Sequence, residues 1–346
     1  MKTIIRNAII VNEGQQFNGS VIIEDEMIQQ VIKGDDSSQA YDIEIDATGL
    51  YLFPGVIDDH VHFREPGLTH KADIASESRT AAAGGVTSYM DMPNTIPQTT
   101  TIEHLEEKFR IAANNSRVNY SFFFGATNNN TDTVMILDRE RVPGVKVFMG
   151  SSTGDMLVDR HDTLHRLFAR SPLLLMAHCE DTNIIQHNIN EFRKRYKGQN
   201  DFPVRYHSRI RSVQACYASS SLAVQMAQDT GARLHLAHIS TAKELELLTP
   251  GPVQDKKITA EAVIAHLMFC TEDYDTLGTL IKCNPAIKTS EDRAALRDAL
   301  TNGLIDVVAT DHAPHLLNEK LGGALKAASG MPMIQFSLVS LSLIHI

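Results

Sequence analysis

The stretch "GVIDDHVHFREPG" closes an apolar run with two histidines two residues apart and follows them with an arginine: His60, His62 and Arg64. In an extended chain residues i and i+2 point the same way, so both imidazoles can face one ion. Lys146, His178, His238 and Asp311 end further apolar runs, in "GVKVFMG", "PLLLMAH", "ARLHLAH" and "LIDVVATD". A lone histidine after a strand is usually just a satisfied polar residue. Four of them with an aspartate, at the same end of separate runs, read instead as a metal site. Nitrogen and oxygen donors without a required thiolate suit zinc or a similar divalent ion in an open, catalytic site. Lys146 is the odd member, because an ammonium repels cations. Burial lowers a lysine's pKa, and the neutral amine can then add carbon dioxide to become a carbamate whose two oxygens bridge two ions. From "GVKVFMG" alone an ordinary strand-end lysine is the simpler reading.

Such residues need a frame that brings distant strand ends together. The first 50 residues alternate apolar and polar in short pieces, "KTIIRNAIIV", "GSVIIED", "MIQQVIK" and "YDIEIDA", separated by turn-formers. That pattern predicts a small antiparallel sheet. From about residue 52, short apolar runs alternate with helical stretches: "YLFPGVIDD", "VTSYMDM", "NYSFFFGA", "GVKVFMG", "PLLLMAH", "ARLHLAH", "KITAEAVIAHL" and "LIDVVATD". The alternation predicts a parallel (β/α)8 barrel of the TIM type, whose reactive residues sit at the C-terminal ends of the strands. Two intervening helical stretches, "THKADIASESRTAAAGG" and "SSLAVQMAQDTG", end in glycine, a good C-cap.

Composition narrows the partners. A formal charge of −10 without a long basic run argues against nucleic acid or anionic lipid. No apolar run is long enough to signal export or membrane insertion. Cys179, Cys216, Cys270 and Cys283 lie far apart, without the density of a disulfide scaffold, so they are expected reduced in a cytoplasmic protein. Cys179 adjoins a ligand candidate but reads better as a small buried hydrophobe.

The motifs "GVIDDHVHFREPG", "MDMPNTIP", "GVKVFMGSS", "AHCED", "LAHIS", "CNPAIK" and "ATDHAPH" occur in an order that resembles the amidohydrolase superfamily, and their combination is similar to its dihydroorotases. The likeness runs over essentially the whole chain. It implies an α/β architecture, a (β/α)8 barrel over residues 52–346 with residues 1–51 forming part of a small β-sandwich domain. It further implies two Zn2+ per chain, bridged by carboxylated Lys146 and a hydroxide. His60 and His62 would hold one ion, His178 and His238 the other, and Asp311 would complete the first site and act as the catalytic acid and base. Some dihydroorotases bridge with an aspartate, which keeps Asp155 open as the alternative. The implied activity is reversible hydrolysis of (S)-dihydroorotate to N-carbamoyl-L-aspartate, the third step of de novo pyrimidine (UMP) biosynthesis.

Dihydroorotate is a cyclic ureide bearing a carboxylate, so its site needs a cation and amide-like hydrogen-bonders beside the metal. Arg64 offers a planar fork two residues from His62, although a rim ion pair is the commoner role for such an arginine. Asn94 and Asn284 each follow a run, but asparagine beside proline is also a common turn. By the resemblance, His315 grips the carboxylate, and Ser329 and Gly330 offer backbone groups to the ring. The segment "HAPHLLNEKLGGALKAASG" is glycine-rich enough to move. An allantoinase or a hydantoinase of the dihydropyrimidinase type would share every metal ligand, and Arg64 with "MPNT" argues against it. A non-catalytic scaffold subunit would have lost ligands, and none is missing. The expected partner is the small-molecule substrate, with a homodimer the one assembly considered.

The end of the chain, "MPMIQFSLVSLSLIHI", reads as the start of an apolar closing helix that stops without a polar face or cap. The expectation is a C-terminally truncated chain. "LSLIHI" fits the resemblance poorly, and strand edges of the small sheet are left open.

Overall fold

The computed structural model describes residues 1–34, 40–150 and 156–345. The chain divides into two units, Met1–Val56 and Ile57–Ile346. Asp155, the alternative bridging residue, lies outside the described residues.

Five strands build the first unit: β1 (Lys2–Asn12), β2 (Gln15–Glu24), β3 (Met27–Lys33), β4 (Ile43–Asp46) and β5 (Tyr51–Leu52). The β1–β2 hairpin turns through Glu13 and Gly14, both at positive φ, the backbone that a tight two-residue turn between twisted strands requires. The sheet order is β3-β2-β1-β4, with β5 also on β1. Ala8, Ile10, Val21 and Ala47 form its small core. The expected antiparallel sheet is in fact mixed. β2 and β3 are antiparallel, but β4 and β5 run parallel to β1. β4 lies on the side of β1 away from β2 and runs in β1's own direction, a pairing that no tight hairpin can make.

In the second unit the eight apolar runs become β6 (Val56–Val61), β7 (Val86–Asp91), β8 (Asn119–Phe122) with its continuation β9 (Phe124–Gly125), β10 (Gly144–Phe148), β11 (Leu174–His178), β12 (Leu234–Leu236), β13 (Ile258–Val263) and β14 (Val307–Ala309). They pair in chain order, β6-β7-β8 and β9 through β14. A parallel bridge between Val61 and His312, with His62 N–H donating to the His312 carbonyl at 2.7 Å, returns the last strand to the first. The result is a (β/α)8 barrel.

Between the strands, helices start where a short polar side chain can take up an otherwise unpaired N–H. Asp73, Thr101, Asp181, Ser212 and Thr289 cap Ile74–Ala83, Ile102–Asn115, Thr182–Arg195, Val213–Thr230 and Ser290–Thr301 in this way. Val213–Thr230 ends on Gly231 in the left-handed conformation, as its glycine signalled. "KITAEAVIAHL" splits: the strand stops at Val263 and Ile264–Met268 is helical. All four cysteines are buried free thiols. Among the described residues no helix is long and apolar enough to cross a membrane.

Candidate active site

Apart from Asp155, the site residues singled out in the sequence line one cavity of about 690 Å³ at the C-terminal ends of the barrel strands. His60 lies on β6 with His62 one residue beyond it, Lys146 on β10, and His178 at the end of β11. His238 and Asp311 stand two residues past β12 and β14. A buried Lys108–Asp91 pair at 2.6 Å braces this end. Asp91 also accepts from Phe63 N–H at 2.8 Å, tying β7 to the residue after His62.

Three residues of the cavity, Arg64, His238 and Asp311, hold positive φ values of 70°, 36° and 48°. They are the only non-glycine residues of the second unit in that conformation among the described residues. Backbone of this kind costs free energy in an L-residue and persists where the surroundings over-determine it.

The imidazoles are oriented from behind. His60 Nδ1 stands 2.5 Å from Glu261 Oε1, and His178 Nε2 stands 3.1 Å from Glu180 Oε2. A carboxylate accepts, so each ring donates outward and turns the lone pair of its other nitrogen into the cavity. His62 Nδ1 likewise donates to the Asn94 side-chain oxygen at 2.8 Å. The inward atoms converge. His62 Nε2 lies 3.0 Å and His60 Nε2 3.5 Å from Asp311 Oδ1, Lys146 Nζ lies 3.4 Å from His60 Nε2, and His178 Nδ1 faces His238 Nε2 at 2.9 Å. His238 Nδ1 is buried without a hydrogen-bond partner among the described residues.

The electrostatics keep these groups in ligand form. Burial pushes His62 down to about 4 and lowers His178 and His238, so the rings are neutral and carry lone pairs. Burial alone would raise Asp311, but His60, His62 and Lys146 hold it at about 2. Glu180, also buried, is held at about 2 by Arg211 and His178. Burial lowers the Lys146 ammonium, which has no carboxylate at ion-pair distance among the described residues. Converging lone pairs, an anionic aspartate and a buried amine whose charged form is disfavoured by burial fit divalent ions.

The far end of the cavity is made of donors. Arg64 Nε donates to the Pro314 carbonyl at 3.1 Å, which leaves the outer nitrogens of its fork. Asn94 spends its oxygen on His62, and Asn284 spends its own on His207 Nε2 at 3.0 Å, so each presents its NH2 group. His315 sits beside Arg64, with Nε2 3.1 Å from Nη2. Gly330 N–H is taken by the Lys282 carbonyl at 2.8 Å. A Cβ on Gly330 would meet the Ala313 carbonyl oxygen at 2.6 Å, so this wall admits no side chain. The segment expected to move is tied down. Lys320 Nζ donates to the carbonyls of Lys282, Ala328 and Gly330 at 3.1, 2.9 and 2.8 Å, and Asp201 accepts from the N–H groups of Gly323 and Leu325 at 2.6 and 2.8 Å.

Sequence reasoning missed Glu261, Glu180, Lys71 and Lys320. Only Glu261 left a signal, as a glutamate inside the buried strand "ITAEAV".

The chain belongs to the amidohydrolase family, which it matches over residues 51–341. Within that family it stands with the dihydroorotases. The dihydroorotase of Halobacterium salinarum is 37% identical over 298 residues, covering 85% of this chain and 67% of its own length. That of Lactobacillus acidophilus is 32% identical over 334 residues, 96% of this chain and 76% of its own. That of Methanosarcina mazei is 34% identical over 341 residues, 96% of this chain and 73% of its own. The fold is similar to L-hydantoinase (dihydropyrimidinase) from Arthrobacter aurescens, with a TM-score of 0.89 at 24% identity over 98% of this chain and 76% of that one. It is also similar to dihydropyrimidinase from Brevibacillus agri, with a TM-score of 0.86 at 23% identity over 99% of this chain and 76% of that one. At such identity these two likenesses bear on the fold alone. Membership of the family makes the chain a hydrolase of cyclic amides and implies dependence on metal.

Proposed function

We propose that the chain is a zinc-dependent dihydroorotase, interconverting (S)-dihydroorotate and N-carbamoyl-L-aspartate in the cytoplasm. One observation carries this reading: the cavity has a cluster of inward lone pairs at one end and a cluster of hydrogen-bond donors around Arg64 at the other. A cyclic amide bearing a carboxylate needs both.

His60, His62 and Asp311 would hold one ion, His178 and His238 the second, and Lys146, as a carbamate formed from its neutral amine, would bridge them. Metal bound there would supply an activated water, its pKa lowered from about 15.7 towards about 7, and would polarise the ring carbonyl. The chain's residues supply the rest. Arg64, with the NH2 groups of Asn94 and Asn284, fixes the substrate carboxylate and thereby the face of the ring presented to the metals. Asp311, a carboxylate throughout the neutral range, takes the proton of the attacking water as its oxygen bonds to the carbonyl carbon. It then delivers that proton to the ring nitrogen as the carbon–nitrogen bond breaks. Glu261 and Glu180 hold the imidazole tautomers throughout. Synthesis runs the same residues in reverse: the carbamoyl nitrogen attacks the side-chain carboxyl and water leaves.

The deciding experiment is an ultraviolet assay of dihydroorotate hydrolysis beside allantoin and dihydrouracil, on zinc-loaded protein. Turnover of dihydroorotate alone is expected. Turnover of either competitor without dihydroorotate would assign the site to another cyclic amidohydrolase.

A further inference from the structure

His315 is wedged between two cations. On one side Arg64 Nη2 lies 3.1 Å from its Nε2; on the other, Lys71 Nζ lies 3.2 Å from its Nδ1. Lys71 comes from the turn before the helix Ile74–Ala83, lines the same cavity, and is held by Glu319 Oε1 at 3.1 Å. A neutral imidazole has one proton for two nitrogens, and its two tautomers use these neighbours differently. With the proton on Nε2, that N–H donates to the Ser329 carbonyl at 3.0 Å and Nδ1 accepts from Lys71. With the proton on Nδ1, the ring can only reach Glu319 Oε2 at 3.5 Å, while Nε2 accepts from Arg64. Arg64 and Lys71 are both donors without an acceptor, so each favours a bare nitrogen on its own side. The balance is set by the acceptors, the Ser329 carbonyl at 3.0 Å from Nε2 against Glu319 Oε2 at 3.5 Å from Nδ1, and the Lys71 ammonium adds to it by donating to a bare Nδ1. Burial and the two cations lower His315 to about 4, which keeps the ring neutral and the choice meaningful.

We propose that Lys71 is a positioning residue for substrate binding, fixing His315 with its proton on Nε2, the nitrogen beside Arg64. The consequence is twofold. Nε2–H becomes a donor that can turn from the Ser329 carbonyl to a substrate carboxylate. Arg64 is also denied an acceptor on the ring, so its outer nitrogens stay available to the ligand. Loss of Lys71 frees Nδ1 to take the proton and donate to Glu319, and His315 then presents a lone pair that competes with the substrate for the Arg64 fork. The substrate half of the proposal rests on the dihydroorotase reading; the tautomer does not.

The test uses the full zinc-loaded chain labelled with 15N-histidine, His315 being assigned by the resonances lost in His315→Asn. In the wild type Nε2 should be the protonated nitrogen and Nδ1 the bare one. Lys71→Met should move the proton to Nδ1 and raise KM for dihydroorotate about tenfold or more, with kcat changed less than about threefold. Lys71→Arg, which keeps a donor there, should retain the wild-type tautomer and a KM within about threefold of it. An unchanged tautomer in Lys71→Met overturns the proposal, as does a changed tautomer with an unchanged KM. A wild type that does not turn over dihydroorotate removes the substrate half, while the nitrogen shifts, read without turnover, still decide the tautomer half.

Discussion

Glu261 Oε1 accepts from His60 Nδ1 at 2.5 Å and from the His238 backbone N–H at 2.9 Å, so one buried carboxylate holds a residue from each of the two pairs of converging imidazoles. Its other oxygen lies 3.2 Å from His235 Nε2. Glu261→Gln keeps the shape but removes the anion that fixes the His60 tautomer. Zinc affinity should fall about ten- to a hundredfold, measured by competition with a chromogenic chelator. Wild-type affinity in the variant would show that the barrel alone sets the ring.

Lys146 is central to the inward donor set, buried, and with no carboxylate at ion-pair distance among the described residues. On the proposed reading, with about two zinc ions per chain and a carbamate on Lys146, Lys146→Ala should reduce bound zinc below the wild-type level and abolish activity, and short-chain carboxylates should restore part of both. Metal analysis and turnover with and without added acetate or propionate check this. Full zinc and full rate in the variant would place the bridge elsewhere, with Asp155 the first residue to replace.

Arg64→Met leaves a substrate carboxylate without its charge-assisted partner, a loss of about 1.5–3 kcal/mol. kcat/KM for dihydroorotate should drop about ten- to a hundredfold while bound zinc stays constant. Steady-state kinetics and metal analysis on the same preparation make the comparison. Unchanged kinetics would leave Arg64 a wall residue bound to Pro314.

Acid should loosen the fold through histidines outside the ligand set. Burial pushes His207 down to about 3 and His266 to about 4, against an ordinary value near 6.5. As pH falls below about 6.5 the unfolded chain takes up a proton at each position and the folded chain refuses it. Stability is therefore lost between about pH 6.5 and 4, by up to about 1.4 kcal/mol per pH unit for each ring. Urea midpoints recorded from pH 7 to pH 4 should fall more steeply for the wild type than for His266→Gln. Parallel curves would exclude His266 as a source of the acid sensitivity.

The barrel and the inward donors were legible because both leave local marks. A strand buried on both faces reads as an apolar run, and a ligand at its end interrupts that run with a histidine or an acid. What orients those ligands leaves almost none. Glu261 serves His60 from 201 positions away, and Lys71 serves His315 from 244. Lys320, wrapped in carbonyls, looks in sequence like any lysine of a polar loop. The direction of β4 and β5 was hidden for a related reason: alternation marks a strand but says nothing of which neighbour it meets or which way it runs.

The left-handed backbone at Arg64, His238 and Asp311 sets evolution and engineering against each other at this site. Each position carries about 1–3 kcal/mol of strain that glycine would relieve and that an asparagine would tolerate better. Selection for heat resistance alone would drift towards those replacements, and each would remove a side chain from the cavity. Thermostable variants that keep their catalytic power must therefore find their gains away from these strand ends, in helix caps, loops or the outer barrel surface.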